Sequence, residues 1–199
     1  IIQFCFGVIT MWDEEEIQEY LKVNLKATRY EHSLGVRDTA VKLAKIYGAD
    51  EKKARIAGLV HDCAKYVPGD ELISIASEND IAIDDVFMET PSLLHGAVAA
   101  VIAKNKMGVY DDDILSAITY HTTGKENMSL MEKIIYVADY IEPNRDFPGV
   151  DRIRKEALEN LDTALLDSFN STIKHVIDKK ELLHLNTIRG RNYLISQYK

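Results

Sequence analysis

From Asp13 onward the apolar residues recur at helical spacing, and no stretch alternates apolar with polar residues as a half-buried strand does. Such a chain must bury helix against helix. Asp13 followed by Glu14, Glu15 and Glu16 marks a helix start, with Ile17, Leu21 and Leu25 as its apolar face. A second helix is predicted from about Tyr30 to Tyr47, with Gly48 as its stop, and Asp50 caps a third that carries His61 and Asp62 near its end, before Val67-Pro68-Gly69 breaks it. A short helix from Glu71 to Ser77 and an irregular stretch through Pro91 follow; Ser92 then caps an Ala- and Val-rich helix with His95 in its first turn. Asp111 to Asp113 begin a helix from Ile114 to His121, stopped at Thr122-Thr123-Gly124. Ser129 and Glu132 have capping-box spacing and open a helix that holds Asp139 and ends at Pro143. Two more helical stretches and a last one from about Thr187 to Tyr198 complete an all-α bundle.

At 199 residues and 46% hydrophobic content the chain suits a single domain with a real core, predicted over residues 12–199. Lys plus Arg number 24 against 32 Asp plus Glu, a formal charge of −8 without a basic run, which argues against a nucleic-acid surface. An anionic small substrate would then need local positive charge, such as metals. Cys5 and Cys63 have no CxxC spacing and build no disulfide framework, so a reducing cytoplasm is the expected location. Ile1–Thr10 is apolar, too short to span a bilayer and without the basic start of a secretory signal. Met11 reads as the start of the folded part, and residues 1–11 as a non-native or short extension without assigned function; no membrane partner is expected.

In Ala57-Gly58-Leu59-Val60-His61-Asp62-Cys63-Ala64-Lys65 an imidazole and a carboxylate adjoin at the end of a segment otherwise suited to burial. A buried carboxylate costs several kcal/mol unless it is paired or binds a metal. Company elsewhere favours the metal. His32, His61, His95 and His121 fall near the ends of four different predicted helices, and Asp139 interrupts the apolar run Ile134 to Ile141. Converging helix ends can build a site in a bundle core. His32, His61, Asp62 and Asp139 would hold one ion; His95 and His121, sharing Asp62, would hold a second at about 3.5–4 Å, as in hydrolytic two-metal centres.

The order His, His-Asp, His, His, Asp resembles the HD-domain superfamily of metal-dependent phosphohydrolases. Arg29-Tyr30-Glu31-His32-Ser33-Leu34-Gly35-Val36, His61 to Lys65, Tyr120-His121-Thr122-Thr123-Gly124 and Ala138 to Val150 resemble more closely the YqeK family of symmetrical bis(5′-nucleosyl)-tetraphosphatases, from about Trp12 to the C-terminus. The resemblance implies a di-iron centre that cleaves diadenosine tetraphosphate in the middle, through a hydroxide bridging two metals, to give two ADP. It also implies a homodimer. Manganese, cobalt and nickel suit the same donors.

In that mechanism Asp62 and Lys65 are the expected catalytic residues. Lys65 could reach a phosphate oxygen, as could Thr122, Thr123 and Gly124 at a helix end; Arg145 is the main candidate for distal phosphates, followed by Arg29 and Arg189. The bland readings are a helix-end histidine on a backbone carbonyl, Asp139 paired with an arginine, Lys65 as a solvated stem, Thr122-Thr123-Gly124 as a helix stop and Arg145 as a surface ion pair. His175 and His184 read as structural. Tyr120, Tyr136 and Tyr140 read as packing residues, with adenine stacking as their alternative. Another HD-type nucleotide phosphohydrolase, acting on a nucleoside monophosphate or a signalling nucleotide, and a non-catalytic metal-containing sensor are the competing functions.

Overall fold

Helix starts are fixed locally, by short carboxylate and hydroxyl side chains. In the computed structural model, which describes residues 11–197, Asp13 accepts from the Glu16 N–H while the Glu16 carboxylate accepts from the Asp13 N–H, opening α1 (Glu14–Asn24). The Ile1–Thr10 extension and the Tyr198 end of the last predicted helix lie outside the described residues. Helix α2 (Ala27–Tyr47) starts one turn ahead of the predicted Tyr30 and ends at Gly48, whose φ of 72° is left-handed. Asp50 caps α3 (Glu51–Val60).

Helix α3 stops earlier than its periodicity predicts. The Cys63 and Lys65 N–H groups bond the carbonyls three residues back, of Val60 and Asp62, both at 2.9 Å, so the backbone tightens into turns and His61-Asp62 falls just past the helix. After α4 (Gly69–Glu78), the predicted irregular stretch contains α5 (Asp85–Glu89), capped by Asp84. Ser92 makes no side-chain cap; a 3₁₀ helix, Pro91–Leu94, leads directly into α6 (His95–Asn105). Asp111 caps α7 (Asp112–Tyr120), and the predicted capping box of Ser129 and Glu132 opens α8 (Leu130–Ile141). Helices α9 (Val150–Glu159), α10 (Leu161–Asp178) and α11 (Leu185–Ser196) follow; among the described residues there is no strand.

Helix α8 is the axis of the core. Ile134, Ile135, Val137 and Ala138 are fully buried where it meets α2, α3, α7 and α10. Helices α2 and α3 press together at Gly58, where a Cβ would lie 2.9 Å from the Arg37 Cα. Helix α10 buries Phe169 against Tyr136, with ring centres 4.8 Å apart, and its last two turns run past the core. Arg154 of α9 closes the end of α8 by donating to the carbonyls of Ile141 at 2.9 Å, Glu142 at 2.8 Å and Arg145 at 2.7 Å. Among the described residues no helix is long and apolar enough to cross a membrane.

Candidate metal centre

Five segments deliver their polar residues to one place: His32 from α2, His61-Asp62 from the turn after α3, His95 from the start of α6, His121 from the end of α7 and Asp139 from the last turns of α8. The four histidines and Asp62 are at most 5% exposed. Each ring turns its Nδ1 onto a nearby acceptor. His61 reaches the Gly58 carbonyl at 2.7 Å, His121 that of Ile118 at 2.7 Å and His95 that of Ser92 at 2.5 Å, whereas His32 reaches the Glu142 carboxylate at 3.0 Å. A carbonyl only accepts, so Nδ1 of the first three rings carries the proton and Nε2 presents its lone pair.

Those Nε2 atoms face one another and two carboxylates. Asp62 Oδ1 lies 2.9 Å from His95 Nε2 and 3.6 Å from His121 Nε2, while Oδ2 lies 3.5 Å from His61 Nε2 and 3.8 Å from His32 Nε2. Asp139 Oδ1 is 3.0 Å from His32 Nε2 and 3.8 Å from His61 Nε2. His32, His61 and Asp139 form one group with donor atoms within 4.8 Å of one another, and His61, Asp62 and His121 form a second. His61 thus faces both groups, although the sequence assigned it to the first.

The arrangement suits cations. His32 Nε2, His61 Nε2 and Asp62 Oδ1 are buried without a hydrogen-bond partner, and an unsatisfied buried polar atom is costly. His95 Nε2 and His121 Nε2 stand 3.1 Å apart, close enough for one cation to take a lone pair from each. Neutral imidazole with carboxylate is the donor set of divalent first-row metals, and an outward Nδ1–H bond is the usual support of a ligating histidine.

Burial alone would raise the pKa of both carboxyls, but the facing histidines, with Arg145 beside Asp139, hold them well below the usual range. The two most buried imidazoles diverge. Burial pulls His61 down, yet Asp62 and Asp139 outweigh it and leave the ring above its ordinary value; at His121 burial prevails over Asp62, with His61 and His95 adding repulsion, and the pKa drops to about 4. Three cations also gather here in a chain of charge −8. Arg29 contacts Asp62 Oδ2 at 2.9 Å, Arg145 contacts Asp139 Oδ1 at 2.5 Å, and Lys65 Nζ is 3.2 Å from His95 Nε2.

The centre opens into a cavity of about 800 Å³, where Lys65, His121, Thr122, Asp139 and Arg145 face the α10 residues Lys174 and His175. Thr122 is at this wall, its hydroxyl donating to the Leu93 carbonyl at 3.2 Å. Thr123 and Gly124 are not. Thr123 is 3% exposed and its carbonyl accepts from the Thr187 hydroxyl, while a Cβ on Gly124, at φ +64°, would lie 2.5 Å from Phe169; both face the core. Arg189 is exposed on α11 and lines none of this cavity.

His175 departs from its structural reading. It is exposed in the cavity wall because the end of α10 has left the core. His184 does serve structure, accepting from the Asn186 N–H and lying 3.2 Å from Asp84. Tyr136 and Tyr140 line the cavity, Tyr140 edge-on to Phe147 with ring centres 5.0 Å apart; Tyr120 lies elsewhere, under the Lys125 ammonium. Glu142 went unassigned from sequence, although its place three residues after Asp139 was the available signal.

Comparison with known proteins extends this geometry. The HD domain family model matches residues 29–144. A Bacillus subtilis protein named symmetrical bis(5′-nucleosyl)-tetraphosphatase is 42% identical over 184 residues, 92% of this chain and 98% of its own length. Its namesake from Halalkalibacterium halodurans is 40% identical over 181 residues, 91% of this chain and 96% of its own. A crystal structure from Clostridium acetobutylicum, described as a predicted HD superfamily hydrolase involved in NAD metabolism, matches with a TM-score of 0.92 at 56% identity, covering 94% of this chain and 100% of the other. Likeness of that extent makes this chain a member of the HD-domain family, within the group that holds the symmetrical bis(5′-nucleosyl)-tetraphosphatases.

Proposed function

We propose that the protein hydrolyses diadenosine tetraphosphate symmetrically to two ADP. The observation that carries this reading is four imidazoles turned onto one shared carboxylate, Asp62, beside a cavity that holds Lys65 and Arg145. The activity named for the full-length relatives supports the same substrate. His32, His61, Asp62 and Asp139 hold one ion and His95, His121 and Asp62 a second; iron is assigned from the family resemblance, with manganese, cobalt and nickel suited to the same donors. Ions so held supply Lewis acidity toward the attacked phosphoryl group and acidify water.

The chain's own groups supply the rest. Asp62 offers one oxygen to each half of the site and so keeps the halves in register. Lys65, over the His95 side, meets a phosphate oxygen whose charge grows in the transition state. Arg145 serves the flanking phosphates, Arg29 adds its charge from its place on Asp62 Oδ2 outside the cavity lining, Thr122 lends a polar wall, and Tyr140 with Phe147 offers an aromatic face to an adenine. Water adds to one central phosphorus. The oxygen bridging the two central phosphates departs with the bond pair as the second ADP, and a proton is released.

The proposal includes one HD domain over residues 12–199 acting as a cytoplasmic homodimer without nucleic-acid or membrane partners. A continuous core and the net charge of −8 support it, the lack of a disulfide-type cysteine pattern in the sequence fits a reducing compartment, and the groove of Ile173, Leu183 and Ile188 offers apolar surface to a second copy. Protein loaded anaerobically with ferrous iron, in parallel with manganese, is incubated with diadenosine tetraphosphate and the products are separated by ion exchange. ADP alone is expected. ATP with AMP would overturn symmetrical attack, and no turnover by metal-replete protein would overturn the substrate.

A further inference from the structure

Glu142 is the C-terminal cap residue of α8 and is 1% exposed. Its two oxygens are both engaged. Oε1 is 3.0 Å from His32 Nδ1, and Oε2 accepts from the Asn144 N–H at 2.7 Å. Room for it comes from the facing helix: a Cβ on Gly35 of α2, three residues after His32, would stand 2.5 Å from Oε2 and 3.3 Å from Cδ. A buried carboxylate needs compensation, and here it comes from the His32 ring and the Asn144 N–H, with the Arg145 guanidinium near enough to interact by charge. The other three histidines take their Nδ1 bonds from main-chain carbonyls three residues back. His32 lies inside a 21-residue helix, where the carbonyls are committed to the helix itself.

We infer that Glu142 is a positioning residue for the metal centre: its carboxylate holds the His32 ring so that Nε2 faces Asp139 and Asp62, and Gly35 is a glycine to leave it space. The inference rests on His32 being a metal ligand and is independent of the substrate. Carboxylate partners of ligating histidines fix the ring and raise its basicity, and removing one typically costs about 10–100-fold in metal affinity.

Two donors, the His32 Nδ1–H and the Asn144 N–H, require two acceptors. Glutamine supplies one carbonyl oxygen, so Glu142→Gln sets its NH₂ against one of them despite its matching size. Gly35→Ala pushes the carboxylate aside from the opposite helix. The test is a Co(II) titration of the full chain, read by the visible absorption of the bound ion, with helical content followed by circular dichroism. The expected result is a loss of about 10–100-fold in affinity for one ion in both Glu142→Gln and Gly35→Ala, with a changed cobalt spectrum and unchanged helicity. Gly35→Ala added to Glu142→Ala should cost nothing further, because the side chain it displaces is gone. Wild-type affinity and spectrum in both single variants, or fully additive losses, would overturn the role of Glu142. Failure of the wild-type protein to bind cobalt would instead overturn the metal reading beneath it.

Discussion

The half of the centre built from His32 and Asp139 and the half built from His95 and His121 meet at His61-Asp62 but are secured by different means. In the first, a carboxylate orients the histidine and a second carboxylate stands beside it, with Arg145 against both the side chain and the carbonyl of Asp139. In the second, each ring bonds the carbonyl three residues back, so orientation follows from where α6 begins and α7 ends. Among the described residues Asp62 alone brings a carboxylate into contact with those two rings, and Lys65 stands over it. If both halves hold cations, the first, with its extra carboxylate, should bind the tighter one even though Arg145 and Arg29 offset part of that charge.

Asp62→Asn attacks both halves together. It should lower turnover by at least ~10²–10³-fold, the scale on which one preorganised electrostatic group acts, and metal analysis should show both ions lost. Retention of a full complement of metal would break the picture of a shared carboxylate. Lys65→Met separates the halves from the other side: a fall of about 10²-fold in kcat with unchanged metal content is expected, and unchanged kcat would return Lys65 to a solvated stem.

Replacing His32 or His121 by Ala ranks the halves directly. His121→Ala should keep the tighter ion, whereas His32→Ala should weaken it by more than the ~10–100-fold of a supporting residue, as isothermal titration would show. Equal losses would erase the asymmetry.

The smallest effect concerns protons. In metal-free protein His61 should titrate above its ordinary value and His121 at about 4, measurable by NMR of the imidazole rings. Acidification then places a proton on His61 first, so cation binding should weaken as pH falls and recover as it rises. His121 enters that competition only near its depressed pKa.

That these histidines and carboxylates meet in one place was legible because such residue types are rare in apolar surroundings and fall near the ends of helices whose starts Asp50 and Ser129 mark in the sequence. What failed was rotation and reach. Periodicity placed His61 on α3, but the backbone tightens one residue sooner, and the choice between wall and core for Thr122, Thr123 and Gly124 depends on where Phe169 arrives from a helix far along the chain. His175 sits among Ile173, Val176 and Ile177 and so looked internal, yet α10 outruns the core it packs on. For the same reason Arg189, whose charge suited a phosphate, should tolerate Ala without a change in KM: α11 carries it away from the cavity.

Arg154 fastens the carbonyls of Ile141, Glu142 and Arg145, and all of them precede Phe147 and Pro148, which form part of the cavity wall. That clasp separates a pinned helix end from the loop that follows it. Phe147 meets α8 through the Tyr140 ring, so exchanging residues 146–148 should reshape that wall while Arg154 keeps the end of α8 in place, whereas Gly149, at φ +95°, must stay a glycine.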